Sequence, residues 1–150
     1  MGVTYLKADC VFIRFSLVAD EWPIEAFTTE IGLTPTEAFK IEDNYIRGTR
    51  QRKRFETVWS LEFGEMKLDY EENMDSEFEF LIAPLIPHIK LINEYKEKYQ
   101  LTCIFSVHYN FYNAQTPGMR LDPSVIAFAH SIGATIDIFI DNETDWDDEE

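Results

Sequence analysis

DCVFIRFSLVA, residues 9–19, is the stretch on which the fold turns. Val11, Ile13, Phe15, Leu17 and Ala19 alternate with Phe12, Arg14, Ser16 and Val18. Alternation over this length predicts a strand with one face in a core and the other outside it. Directly after it, Asp20 or Glu21 precedes Trp22-Pro23, and Ile24, Phe27 and Ile31 follow at helical spacing. Proline at a first helical position and Gly32 behind Ile31 predict a short helix over 22–31. Leu33-Thr34-Pro35-Thr36 is a turn, beyond which 38–42 and 55–63 read as strands flanking a polar, glycine-containing connection.

From 75 to 99 the period changes: Phe78, Leu81, Ile82, Leu85, Ile86, Ile89, Ile92 and Tyr95 recur at three and four. Pro84 and Pro87 each remove a backbone donor, so one helix is predicted over 76–85 and a second over 87–98, with a break between. LTCIFSVHYNF, 101–111, returns to a strand pattern, 113–118 reads as a loop, and 119–121 as a short edge strand. Asp122-Pro123 starts a helix in which the Asp side chain accepts free amides, and Gly133 ends it. Residues 135–141 form a last strand, with Asp137 facing away from the side on which Ile136, Ile138 and Ile140 lie. FTTEIGLT (27–34) and FAHSIGAT (128–135) share Phe, Ile, Gly and Thr at the same offsets. The repeat points to two related halves in one sheet, a ferredoxin-like arrangement. The expected fold is therefore α+β: a single domain over 1–141 with a mainly antiparallel sheet and helices packed on it, followed by an acidic tail over 142–150.

A chain of 150 residues matches one domain, and 45% hydrophobic with 15% aromatic residues excludes wholesale disorder. Thirteen basic against 28 acidic residues give a net charge of −15, which repels nucleic acid and favours a basic partner or simple solubility. No run approaches the roughly 20 apolar residues of a membrane span. The early apolar run carries Arg14 and lacks a cleavage site, and Leu6 stands where acylation of Gly2 would want Ser or Thr. The expected location is the cytoplasm. Cys10 and Cys103 sit in apolar strands and are expected to stay reduced. His88, His108 and His130 are not at ligand spacing, so neither a metal nor a cofactor is expected.

Three features carry possible chemistry. RGTRQRKR holds Arg47, Arg50, Arg52, Lys53 and Arg54 with no acid among them, a candidate anion-binding island because arginine forks match phosphate and carboxylate. Opposing it, residues 141–150 hold seven acids and no base, and residues 62–79 hold eight acids against Lys67. Within the tail, Asp145, Trp146, Asp147, Asp148, Glu149 and Glu150 form a candidate partner-binding segment, the acids steering association and the indole anchoring it. Trp59 and Asp137 mark an alternative, a pocket for a small ligand or for enzymatic chemistry.

The helix ending in IGLTPT (31–36), the basic-polar stretch, VWSLE (58–62), the long helical segment and IGATIDIFI (132–140) together resemble the bacterial domain-of-unknown-function family numbered forty-two seventy-nine. Gly32, Pro35, Trp59, Gly133 and Asp137 match the family's pattern, whereas the island over 47–54 is more densely basic than usual. The resemblance implies a small bacterial cytosolic protein, with some relatives in toxin and immunity settings, and brings no catalytic residues. With no familiar catalytic motif in the chain, the expected function is a non-enzymatic, immunity-type module that recognises a basic protein such as a toxin through its acidic surface.

Overall fold

A computed structural model describes residues 10–67, 75–111 and 120–142 of the chain. The alternating stretch forms the central strand β1 (Cys10–Ala19), antiparallel on one side to β5 (Thr57–Lys67) and on the other to β6 (Thr102–Phe111). A short strand β2 (Glu37–Phe39) pairs antiparallel with β5, and β7 (Thr135–Asn142) pairs parallel with β6. The described residues thus build a five-stranded sheet in the order β2-β5-β1-β6-β7. Strands β3 (Asn44–Arg47) and β4 (Arg50–Lys53) make a separate two-stranded hairpin. Among the described residues four α-helices join them: α1 (Ile24–Ile31), α2 (Asp75–Ile82), α3 (Ile89–Tyr99) and α4 (Pro123–Ser131).

This is the α+β, mainly antiparallel domain that the alternation predicts. Strands β1, β2, β5 and β6, with α1 after β1 and α2–α3 after β5, have β-α-β-β-α-β connectivity with the first and third strands central, the ferredoxin-like pattern. The halves are not those the repeat suggests. The repeated octapeptides lie at the ends of α1 and α4, the helices that follow β1 and β6, whereas α4 and β7 are an addition beyond the four-stranded unit. What the octapeptides share is packing and a stop signal. Phe27 and Phe128, and Ile31 and Ile132, are all buried, and Gly32 and Gly133 both take positive φ, 72° and 62°.

Packing explains the layering. Val11, Ile13, Phe15 and Leu17 of β1, Trp59 of β5, and Cys103, Phe105, Val107 and Tyr109 of β6 point to one side. There they meet Ile24, Phe27 and Ile31 of α1, Phe78, Leu81 and Ile82 of α2, Ile92 and Tyr95 of α3, and Val125, Phe128 and Ala129 of α4 in one cluster. Phe27 lies at its centre, 5.0 Å from both Trp59 and Tyr95 in edge-to-face geometry. Such ring pairs add about 0.5–1.5 kcal/mol each beyond area burial. Trp59 Nε1 also donates to Thr28 Oγ1 at 3.0 Å, which in turn donates to the Ile24 carbonyl at 2.7 Å, tying β5 to α1.

Several local expectations change. Pro23 sits at the N-cap of α1, so the helix begins at Ile24 instead of Trp22, which is buried and donates Nε1 to the Thr57 carbonyl at 3.0 Å. Strand β2 starts at Glu37 and stops at Phe39, because Lys40 to Asp43 turn back on themselves: Lys40 N donates to Asp43 Oδ2 at 2.8 Å, and Glu42 takes φ 75°. Phe55 lies outside β5 and is exposed. The proline break forms but is wider than expected: α2 ends at Ile82 instead of residue 85, before Pro84, a 3₁₀ turn spans Ile86–His88, and α3 starts at Ile89 instead of residue 87. Asp122 caps α4 with its carbonyl alone, accepting from Val125 and Ile126 at 3.0 Å, and its side chain makes no capping bond. The edge strand expected over 119–121 does not form at Leu121, and Met119 lies outside the described residues.

Candidate functional site

The described helices all pack on the core face of the sheet, and on its other face polar and aromatic side chains collect. Alternation places Phe12, Arg14, Ser16 and Val18 of β1 on this face, with Val58, Ser60 and Glu62 of β5, Ile104, Ser106, His108 and Asn110 of β6, and Asp137, Phe139 and Asp141 of β7. Register then makes pairs of them. Ser16 and Ser60 are direct neighbours and share a buried hydrogen bond of 2.9 Å. Arg14 and Glu62 face each other and form an ion pair, while the buried Nε of Arg14 has no hydrogen-bond partner among the described residues.

Phe12, His108 and Phe139 form a row across three strands. His108 stacks on Phe139 at 4.8 Å and 15°, and meets the edge of Phe12 at 6.0 Å. Around this row lies an open cleft lined by Phe12, Arg14, His108, Asn110 and Asp141. It offers a guanidinium, an imidazole, an amide and a carboxylate to solvent.

At the end of the sheet, β7 has a neighbour only on its β6 side among the described residues. Ile136 packs against the core, but the apolar residues beyond it do not: Ile138, Phe139 and Ile140 are 44%, 48% and 56% exposed, on both faces of the strand. Asp137 and Asp141 are exposed beside them. The expectation that Asp137 faces away from the isoleucines holds, but Trp59 is fully buried among the helices, on the opposite face and three strands away. The structure therefore does not bring Trp59 and Asp137 into one pocket. The reason is the parity of their strands: Trp59 lies level with Leu17 on the core face, whereas Asp137 lies level with Ser106 on the open one.

The other candidates are dispersed. Asp145, Trp146, Asp147, Asp148, Glu149 and Glu150 lie outside the described residues; β7 itself runs to Asn142, one residue into the stretch expected as tail. Arg47, Arg50, Arg52 and Lys53 are exposed on the hairpin, and Arg54 is half-buried at its base. His88, His108 and His130 sit on separate elements, and no group of three His, Cys, Asp or Glu suited to a metal occurs among the described residues. Cys10 and Cys103 are both buried and form no disulfide, and burial pushes the Cys103 thiol up to about 11, so it stays protonated and unreactive at neutral pH. Sequence reading missed Phe12, Arg14, His108 and Asn110 as a group. Their signal was the polar half of the alternation in 9–19 and 101–111, visible once those strands are placed side by side.

A two-layer α+β sandwich whose described helices all lie on one face of the sheet, with an apolar, acid-flanked strand at the end of the described sheet, is the class that this geometry defines. Within that class the chain belongs to the family described as "Domain of unknown function (DUF4279)", whose model matches residues 9–143. No curated protein and no solved structure matches the chain. No helix among the described residues is long and apolar enough to cross a membrane.

Proposed function

We propose that the protein is a non-enzymatic, immunity-type binding module that captures a basic segment of a partner protein, such as a toxin, along β7. The observation that carries this reading is the exposure of Ile138, Phe139 and Ile140 on an edge strand. An edge strand presents unpaired backbone donors and acceptors, and a long apolar one invites an added strand. Asp137 and Asp141 stand on the same strand, and the sequence continues from Asn142 into Glu143, Asp145, Asp147, Asp148, Glu149 and Glu150. A strand alternating basic and apolar residues is complementary to that edge. Main-chain bonds would give it affinity, while the acids select its sign and speed its approach.

The test is a fluorescence anisotropy titration of the full chain with a short labelled peptide alternating lysine and valine. Binding should weaken at least about tenfold in Asp137→Asn/Asp141→Asn and be lost in Ile138→Lys/Ile140→Lys, about 1.4 kcal/mol per decade. Equal affinity for all three proteins would refute the proposal.

A second reading, a small-ligand binder, is favoured by the unpartnered Arg14 Nε at the open cleft. An anionic ligand would satisfy that donor, with His108 and Asn110 as further contacts. Arg14→Met would then abolish ligand binding while leaving peptide capture by β7 intact.

A further inference from the structure

We propose that one face of the β3–β4 hairpin is a docking surface for an extended acidic segment of a partner protein. It is a surface distinct from β7 and of opposite charge. The hairpin register sets Tyr45 opposite Arg52 and Arg47 opposite Arg50, so Tyr45, Arg47, Arg50 and Arg52 share one face. Gly48, the first of the two turn residues, takes φ 66°, which the tight connection requires.

Two of the five bases are accounted for at the hairpin's base. The Arg54 guanidinium lies 3.9 Å from the ring centroids of both Phe39 and Tyr45 and pairs with Glu37 at 3.8 Å. Lys53 pairs with Glu42 at 3.6 Å. Arg47, Arg50 and Arg52 have no such role: they are exposed, and among the described residues they make no ion pair or side-chain hydrogen bond.

Stability does not explain this arrangement. Like charges directly opposite across an antiparallel pair repel, and a two-stranded ribbon has little stability to spare. Arg47 facing Arg50 weakens the hairpin until an anion lies between them. The choice of arginine fits carboxylates, which the guanidinium fork binds through two parallel hydrogen bonds.

Geometry and charge select the partner. Arg50 and Arg52 are two residues apart on one strand, and side chains on one side of an extended segment recur every roughly 6.6 Å, so alternate acids of an extended peptide match them. A nucleic acid fits less well. The hairpin contributes five positive charges to a chain of −15, leaving −20 on the rest. Duplex DNA carries a charge about every 1.7 Å along its axis and would continue from the arginines over that acidic body. An acidic peptide can place its charges only where the arginines are.

The experiment is an anisotropy titration of the full chain with a labelled peptide alternating glutamate and threonine, with a DNA oligonucleotide of equal length in parallel. The peptide should bind, its affinity should fall with salt, and Arg47→Gln/Arg50→Gln/Arg52→Gln should weaken it at least tenfold (about 1.4 kcal/mol). Arg47→Gln alone removes the repulsion and separates the two roles: melting temperature should stay level or rise while peptide affinity falls. A peptide affinity unchanged in the triple variant, tighter binding of the oligonucleotide, or a fall in melting temperature with affinity retained in Arg47→Gln would each overturn the proposal.

Discussion

On the covered face of the sheet, Val11, Ile13, Phe15, Leu17, Trp59, Cys103, Phe105 and Val107 are closed off by four helices; on the other face, the residues between them include Arg14, Ser16, Ser60, Glu62, Ser106, His108 and Asn110. The same strands, read at odd and even positions, therefore do two jobs. One set removes hydrocarbon from water and holds the fold. The other satisfies itself in pairs and leaves donors, acceptors and rings facing outward. Substitutions should divide along the same line, costing stability on one face and recognition on the other.

The largest effect belongs to Trp59→Ala, which removes a fully buried ring packed edge-to-face on Phe27 and the bond to Thr28. It should cost about 3–5 kcal/mol in urea denaturation. A cost below about 1 kcal/mol would mean that Trp59 does not hold the helical layer to the sheet. On the open face, the stability-bearing exception is the Ser16–Ser60 bond. Ser60→Ala should cost about 1–2 kcal/mol by stranding Ser16, and Ser16→Ala/Ser60→Ala should cost less than the two single changes summed.

Alkaline titration sharpens the comparison through Cys103 on the core face. Its thiol ionises near its ordinary 9.0 when the chain is unfolded, but burial holds its proton to about 11 in the fold. The unfolded state loses its proton first, so this contribution to stability is complete below pH 9 and disappears as pH rises toward 11. Cys103→Ala should flatten the fall in melting temperature over that range. Tyr95 acts in the same direction at higher pH, because burial first, and then its hydrogen bond to Glu30, push its phenol up to about 12. The smallest stability effect should come from Phe139→Ser on β7, within about 1 kcal/mol in the same denaturation assay, since the ring is already half-exposed.

How much of this was legible depended on whether a signal was local. Alternation in 9–19 and the proline break at Pro84 and Pro87 act within a few residues, and both appear where the sequence puts them. Gly32 and Gly133 were legible as stops for the same reason, though Gly133 also has a long-range role. A Cβ there would collide with Lys96 Nζ, which donates to the carbonyls of Ile132 and Gly133 and so serves the end of α4.

Strand order is a long-range property. Nothing local says that β7 takes the edge beside β6, or that Trp59 and Asp137 fall on opposite faces. The cleft was hidden for the same cause, since Phe12, His108 and Phe139 become neighbours only through the β1-β6-β7 register. The sequence predicts only a connection where the hairpin forms, because Tyr45 and Ile46 stand alone among polar residues, without the run of apolar positions by which strands are recognised.

The central claim is that β7 accepts a basic strand, and backbone amide hydrogen exchange over residues 135–142 tests it most directly. The outward-facing amides of a free edge exchange fast, and a paired strand protects them. Titrating the lysine-valine peptide should slow exchange across β7 and leave the β3–β4 hairpin unchanged. Exchange over 135–142 that stays the same at saturating peptide, or protection that appears at the hairpin or on α4 instead, would contradict the account.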